Sequence, residues 1–396
     1  MTSSHHRIAT ILGALVALGP LSIDMYLPAF PELARAFRTD AASVQITLAS
    51  YFVGLAIGQA FYGALSDRLG RKAPLYAGLV LYVLASLGCV LAATIEMLIV
   101  LRFVQALGGC AAMVIGRAIV RDQFDERESA RVLSLLMLVM GVAPILAPLL
   151  GGWLVVHSGW QAIFLVLAAC GVLNLLTVWL TLAESLPVER RQRHNLVSVF
   201  RVYRALLGDR HFMRFALGGG LTVAGMFAYI AGSPYVFMEI HGVLPENYGW
   251  IFGTNAAGLI AASQITGRLV MRMPRDRIFV GALTVGAMAG AVLFAAGLSG
   301  VGGLFGILVP LFVFVAGLGF VLPVSAALAM APHGRNAGAA SALLGVLQFV
   351  FGAVSGSLVG ALHDGTARPM TMIIAACAAG PLLVQFLFGR PRRTRT

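Results

Sequence analysis

Long apolar runs separated by short polar gaps recur along the whole chain. Each run holds around 20 residues, enough to cross a bilayer core of about 30 Å as a helix. Twelve spans follow: Ile8–Phe30, Val44–Leu65, Ala73–Ala93, Met97–Val120, Val132–Val156, Trp160–Ala183, Phe212–Phe237, Tyr248–Val270, Ile278–Leu298, Gly302–Ala326, Ala337–Leu362 and Met370–Phe388. The longest polar segment, about Glu184 to His211, carries Arg190, Arg191, Arg193, Arg201, Arg204 and Arg210. It divides the spans into two sets of six. The pattern predicts an all-α polytopic membrane protein, with an N-terminal six-helix half over 1–186, a cytoplasmic linker over 187–211 and a C-terminal six-helix half over 212–396.

Composition agrees with this reading. The 396 residues are 59% hydrophobic and 11% charged, where a soluble domain has about 25% charged residues. The net charge of +12 does not indicate nucleic acid, because the cations lie in short gaps between spans. With a cytoplasmic N-terminus, 24 of the 28 Lys and Arg fall on the inside. Only Arg35, Arg38 and Arg368 fall outside, and Arg102 lies within a span. This bias places both termini in the cytoplasm. The run after His5, His6 and Arg7 resembles a signal peptide, but it continues through Asp24 without a small-residue cleavage site and reads as an uncleaved first span. Cys89, Cys110, Cys170 and Cys377 are scattered in apolar runs without metal-ligand spacing and read as buried thiols. No HExxH, Walker loop or nucleophile elbow is present, and no enzyme, cofactor or metal is expected.

The gap Gly63-Ala-Leu-Ser-Asp-Arg-Leu-Gly-Arg-Lys72 joins two spans by a tight turn. Its glycines permit close backbone approach and its cations set topology, but neither purpose needs Asp67. A partial echo, Gly267-Arg-Leu-Val-Met-Arg-Met-Pro-Arg275, follows the second span of the second half, with Met271 in place of the acid. Two like-oriented halves suggest a transporter with its substrate path between them near the midplane, built of three-plus-three bundles with spans 1, 4, 7 and 10 facing a central cavity. Asp24, Tyr26, Arg102, Met226, Tyr229 and Asn255 are the cavity candidates.

Of the sixteen carboxylates, only Asp24 lies well inside a span. Such a group costs at least about 2.5–3.5 kcal/mol on insertion scales and usually faces a cavity. Burial disfavours the charged carboxylate and a nearby cation favours it, so a group held between those effects can exchange a proton near neutral pH. Arg102 is the candidate cation; at 1.5 Å per residue, it and Asp24 both fall in the outer third of the membrane. Structural pairing of Asp24 and snorkelling of Arg102 are the competing readings. Pro28 and Pro31 break the first span beside Asp24. Pro144 and Pro148 are expected to kink the fifth span, and Gly151 and Gly152 to allow close helix approach, for ordinary packing or for a hinge or seal.

These residues carry a resemblance. Gly63–Lys72, with Gly63, Asp67, Arg68, Gly70 and Arg71, resembles the loop signature of the major facilitator superfamily. Leu101–Gly108 is similar to its fourth-helix motif through Arg102, Gln105 and Gly108, with Ala106 for the usual Gly. Ala143–Gly152 is similar to its antiporter motif through Pro148, Gly151 and Gly152, with Ala147 for Gly. Ser22–Ala29, Ala224–Phe227, Ser233–Val236 and Glu246–Gly249 resemble the Bcr/CflA drug-resistance exporters. The resemblance implies the major facilitator fold and a proton-driven exporter of the bacterial inner membrane, working as a monomer on small amphipathic drugs of the chloramphenicol, bicyclomycin or sulfonamide type. It also implies proton and substrate coupling at Asp24 and Arg102, and a latch in which Asp67 meets the start of helix 11 at Asn336–Ala339 while Arg71 pairs with Asp122. Proton-coupled transport of an amino acid or peptide, uptake by proton symport, and a non-transporting membrane sensor remain open alternatives.

Overall fold

The architecture follows from where the polar gaps let the chain turn. The computed structural model describes residues 3–191 and 196–388. Arg193 of the linker and Arg390, Arg392, Arg393 and Arg395 of the C-terminus lie outside the described residues. Fourteen α-helices make up the described fold: α1 Ser3–Asp24, α2 Phe30–Ala36, α3 Ala41–Leu69, α4 Lys72–Val90, α5 Ile95–Gln123, α6 Glu126–Ser158, α7 Gln161–Thr181, α8 Leu196–Gly208, α9 Arg210–Pro234, α10 Pro245–Leu269, α11 Arg275–Ser299, α12 Gly303–Met330, α13 Ala337–Ala361 and α14 Arg368–Phe388. Among the described residues, eleven helical segments are long and apolar enough to span a membrane, the first being Arg7–Ala36 across α1 and α2. The remaining expected span is α10, equally long but more polar, with Glu246, Asn255, Gln264 and Arg268 along it.

Several polar end residues explain where helices begin. Asp40 accepts the Ser43 N–H at 2.8 Å, Asp125 that of Glu128 at 2.8 Å, and Asp209 that of His211 at 2.7 Å. Thr94 does the same for Met97 at 3.3 Å. Each satisfies a donor that the first helical turn leaves free. The first span breaks after Asp24: a 3-10 turn at Leu27–Ala29 contains Pro28, and α2 restarts with Pro31 in its first turn. Proline is tolerated there because the N–H it lacks has no helical partner anyway. α6 runs unbroken through Pro144 and Pro148. Among its described residues, the linker holds a 3-10 turn at Val188–Arg190 and α8, which buries Tyr203 and Leu206 and exposes Arg201 and Arg204.

In the first six spans, α5 packs on α1, α3 and α4, α1 on α6, and α4 on α7. In the second six, α9 packs on α12, α13 and α14, α12 on α10 and α11, and α11 on α14. Two seams join the sets, α3 against α13 and α6 against α10. Outward-facing Leu173, Trp179, Leu180, Trp250, Phe305 and Phe386 are exposed, as a surface solvated by lipid requires.

Candidate functional site

The centre of the molecule is built where α1 ends. Asp24, its last residue, is 4% exposed and makes no side-chain hydrogen bond or ion pair among the described residues. The turn that follows it, Leu27–Ala29, touches α6, α9 and α10, so Asp24 stands between the two sets of helices.

Arg102 lies in the same layer but is engaged elsewhere. It is fully buried on α5. Nη2 donates to the Ser22 carbonyl at 2.9 Å and Nη1 to Gln105 Oε1 at 2.6 Å. The guanidinium lies 4.4 Å from the ring centre of Tyr26, 4.3 Å from Tyr51 and 5.8 Å from Phe164. A desolvated cation between aromatic faces is held by their quadrupoles. Gln105 donates to Ser86 Oγ at 2.8 Å, and Ser22 Oγ pairs with the Tyr82 hydroxyl at 2.7 Å. The Arg102 network thus fixes the backbone two residues before Asp24 and leaves its carboxylate without a bonded cation.

The other candidates divide between both sets of helices. The Tyr26 hydroxyl pairs with Thr47 at 2.7 Å. Asn255 donates to the Tyr229 hydroxyl at 3.1 Å, and Ser233 pairs with Tyr248 at 2.7 Å. Met226 is half-buried against the common core. Ser22, Thr47, Tyr51, Tyr82, Ser86, Ser233 and Tyr248 escape a search for charged intramembrane groups, because a hydroxyl in an apolar run is common. Their pairings across helices form only on folding.

The glycines of α6 make close helix contacts beside this layer. A Cβ at Gly151 would lie 2.1 Å from the Met25 carbonyl oxygen, and one at Gly152 would lie 2.3 Å from that of Pro245. Hydrogen alone lets α6 meet the end of α1 and the start of α10. Phe52 and Phe227, with ring centres 4.2 Å apart, close the other seam.

At the end carrying the Gly63–Lys72 loop the two sets diverge. A cleft of about 620 Å³ opens there, lined by α3, α5, α6, α8 and the start of α13. Asp67 lines one wall and Asn336, Gly338 and Ala339 the other. Asp67 accepts from Arg71, whose Nε donates to Asp122 at 2.7 Å and whose Nη1 donates to Ser66 at 2.9 Å. The Arg68 and Gly63 positions lie on α3, and Gly70, with φ of 91°, makes the turn in a region that favours glycine. Glu184 accepts the N–H groups of Arg71, Lys72 and Leu186 at 2.9, 3.1 and 3.0 Å, capping α4 from across the fold. Partial burial opposes its ionisation, but these three donors and Arg191 outweigh that and hold the carboxyl below its ordinary range. A separate hollow of about 610 Å³ indents the opposite end, between α2, α3 and the segment Tyr235–Ile240. Among the described residues, no group of three or more His, Cys, Asp or Glu converges as a metal site would require.

The comparisons agree with this geometry. The family profile described as Major Facilitator Superfamily matches residues 12–357. The Bacillus subtilis protein "Uncharacterized MFS-type transporter YdgK" is 39% identical over 94% of this chain and 92% of its own. The "Bicyclomycin resistance protein homolog" of Haemophilus influenzae is 31% identical over 97% and 96%. The Escherichia coli "Multidrug resistance protein MdtL" is 30% identical over 96% and 95%. Among solved structures, the partially occluded inward-open xylose transporter XylE from Escherichia coli superposes with a TM-score of 0.77 at 13% identity, covering both chains completely. A bacterial homologue of the lysosomal transporter Spinster, inward-facing and unoccupied, superposes at 0.73 and 15% identity over 98% of this chain and 95% of its own. Motifs, helices and relatives together make this chain a multi-pass membrane transporter of the Major Facilitator Superfamily, of the Bcr/CflA drug-transporter type, and not an enzyme.

Proposed function

We propose that this chain exports amphipathic drugs across a bacterial inner membrane in exchange for protons, by alternating access between halves 1–186 and 212–396. The basic end, with both termini, faces the cytoplasm. The observation that carries this reading is Asp24: a buried carboxylate at the junction of both halves, with no bonded partner while Arg102 is held by Ser22, Gln105 and three aromatic rings. Drug enters from the cytoplasmic cleft while Asp24 releases its proton. After the halves rock, a proton from the outer side rebinds and favours release. Exchange needs only that drug and proton compete through one site or one equilibrium. Export is also supported by relatives named for bicyclomycin and multidrug resistance. Asp67 completes the cycle as a latch. With the cleft open it bonds Arg71; on closure it meets the start of α13, where free N–H groups and the helix dipole favour an anion.

The test is drug uptake into inside-out vesicles with an acid interior. Wild type accumulates drug, and Asp24→Asn, expressed to the same level, stops gradient-driven uptake and drug-induced proton release. Asp24→Glu keeps part of both. If the Asn variant still concentrates drug and loses it when the proton gradient is dissipated, the proton travels elsewhere.

A further inference from the structure

We propose that the cleft at the basic end contains an entry subsite for the negatively charged end of an amphipathic solute, a carboxylate above all, held by the guanidinium of Arg117. The inference rests on the reading of the chain as an exporter loaded from the cytoplasm. Arg117 stands six residues before the end of α5, about 9 Å in from Gln123. Its Nε donates to the Met113 carbonyl at 3.1 Å. Among the described residues, its two terminal nitrogens have no acceptor. The charged neighbour acting on it is Arg121, one turn on and also cationic. Asp67, which lines the same cleft, is already bonded to Arg71.

An unpaired cation set back from a helix end costs free energy and marks a site for an anion. The guanidinium fork fits a carboxylate through two parallel hydrogen bonds. A second observation points to the same ligand. Gln59 lines the same cleft from α3, the neighbour of α5; it is 7% exposed, and its Oε1 has no partner. A rotation of this amide away from Gly345, against which it lies, would present that acceptor to an O–H or N–H farther along the solute. Val114 on α5 and Leu133 on α6 add apolar surface to the same cleft. The cleft's volume of about 620 Å³ falls within the roughly 300–1,000 Å³ usual for small-molecule sites. Along α5, Arg117 is roughly 22 Å from Arg102. The subsite therefore governs capture and leaves the proton step at Asp24 untouched.

Radiolabelled 4-phenylbutyrate, 4-phenylbutanol and 4-phenylbutylamine differ only in the charge of one end. Their binding is measured on the full-length protein in nanodiscs, and their uptake in inside-out vesicles. Wild type is expected to bind the acid about tenfold more tightly than the alcohol, and Arg117→Gln to bring the two within about twofold. Arg117→Lys restores part of the preference. In vesicles Arg117→Gln raises KM for the acid about tenfold at constant kcat. Unchanged alcohol binding and melting temperature show that the variant is folded. Binding of none of the probes, or an acid preference that survives in Arg117→Gln, overturns the subsite. Survival of the preference with loss of co-purified phosphatidylglycerol also overturns it, by assigning the guanidinium to a lipid phosphate. If the acid binds through Arg117 but no probe accumulates under a proton gradient, the subsite stands and the export reading fails.

Discussion

At the scale of single residues, two charged groups do opposite work. Arg102 is spent on structure: it ties the Ser22 carbonyl and Gln105 together inside a box of rings. Its two charge-assisted bonds are worth about 1.5–3 kcal/mol each. Arg102→Ala is expected to lower stability by on the order of 3 kcal/mol and to abolish transport. Arg102→Lys should fold better yet transport poorly, since an ammonium lacks the planar fork and stacks less well. Thermal unfolding in detergent, read beside vesicle uptake, checks both; an Ala variant as stable as wild type removes the structural role. Glu184 is the complementary case, an acid whose value is its charge. Its folded carboxyl titrates below the ordinary 4.5. The stabilisation is fully present above that ordinary value and is lost as pH falls through the depressed one. Hydrogen exchange at the Arg71 and Lys72 amides should therefore be flat with pH around neutrality, after correction for intrinsic exchange, and faster in Glu184→Gln. Equal protection in variant and wild type sinks the capping role.

At the scale of elements, α6 and α8 are the helices on which the proposed cycle makes the sharpest demands. Two consecutive glycines let α6 touch the end of α1 and the start of α10 through backbone atoms. A single methyl group at either glycine must push a helix away, and overpacking of this kind costs typically about 1–3 kcal/mol. Gly151→Ala and Gly152→Ala are expected to loosen the seal opposite the basic cleft. The readout is maleimide labelling of Tyr248→Cys from that side, which should rise in both glycine variants. Labelling that stays at the wild-type level would falsify the seal. α8 bridges the cleft's mouth: Phe200 lies 5.9 Å from Phe61 on α3, while the helix packs on α9 and α13. Its position makes the linker part of the cleft wall through Val202 and Tyr203.

At the scale of the molecule, the seams α3–α13 and α6–α10 join the two sets of helices, and the proposed alternating access requires them to move. In the proposed cycle, rocking of one half on the other closes the basic end as Asp67 crosses to α13. In the paired variant Gly63→Cys with Gly338→Cys, both positions line the cleft. Disulfide formation should rise when the molecule is driven closed at that end. Asp67→Asn should reduce this cross-linking and slow turnover, because a neutral amide gains little from a helix dipole worth about 0.3–1 kcal/mol to an exposed anion. Cross-linking and turnover that ignore the Asp67 charge remove the latch.

Hydrophobic periodicity by itself determined the number of spans, their order and most of their ends, because a lipid bilayer forces every spanning backbone into helices of nearly fixed length. Even α10, the most polar, could be read from its place between turn residues and basic residues. Asp24 and Arg102 were legible for the same reason: charge inside an apolar run is rare. Tertiary structure decided which partner each one has. Arg102 turned to Gln105, one turn along α5 as the i,i+3 spacing allows, and to the Ser22 carbonyl and aromatic rings from elsewhere in the chain, contacts that no spacing along α5 encodes. Arg117 was hidden by the opposite error. A cation near a span end reads as a topology signal, and only the full length of α5 set it back from that end to face a cleft. The short amphipathic α8 was equally hidden among arginines, since its one apolar side acquires meaning only against α9 and α13.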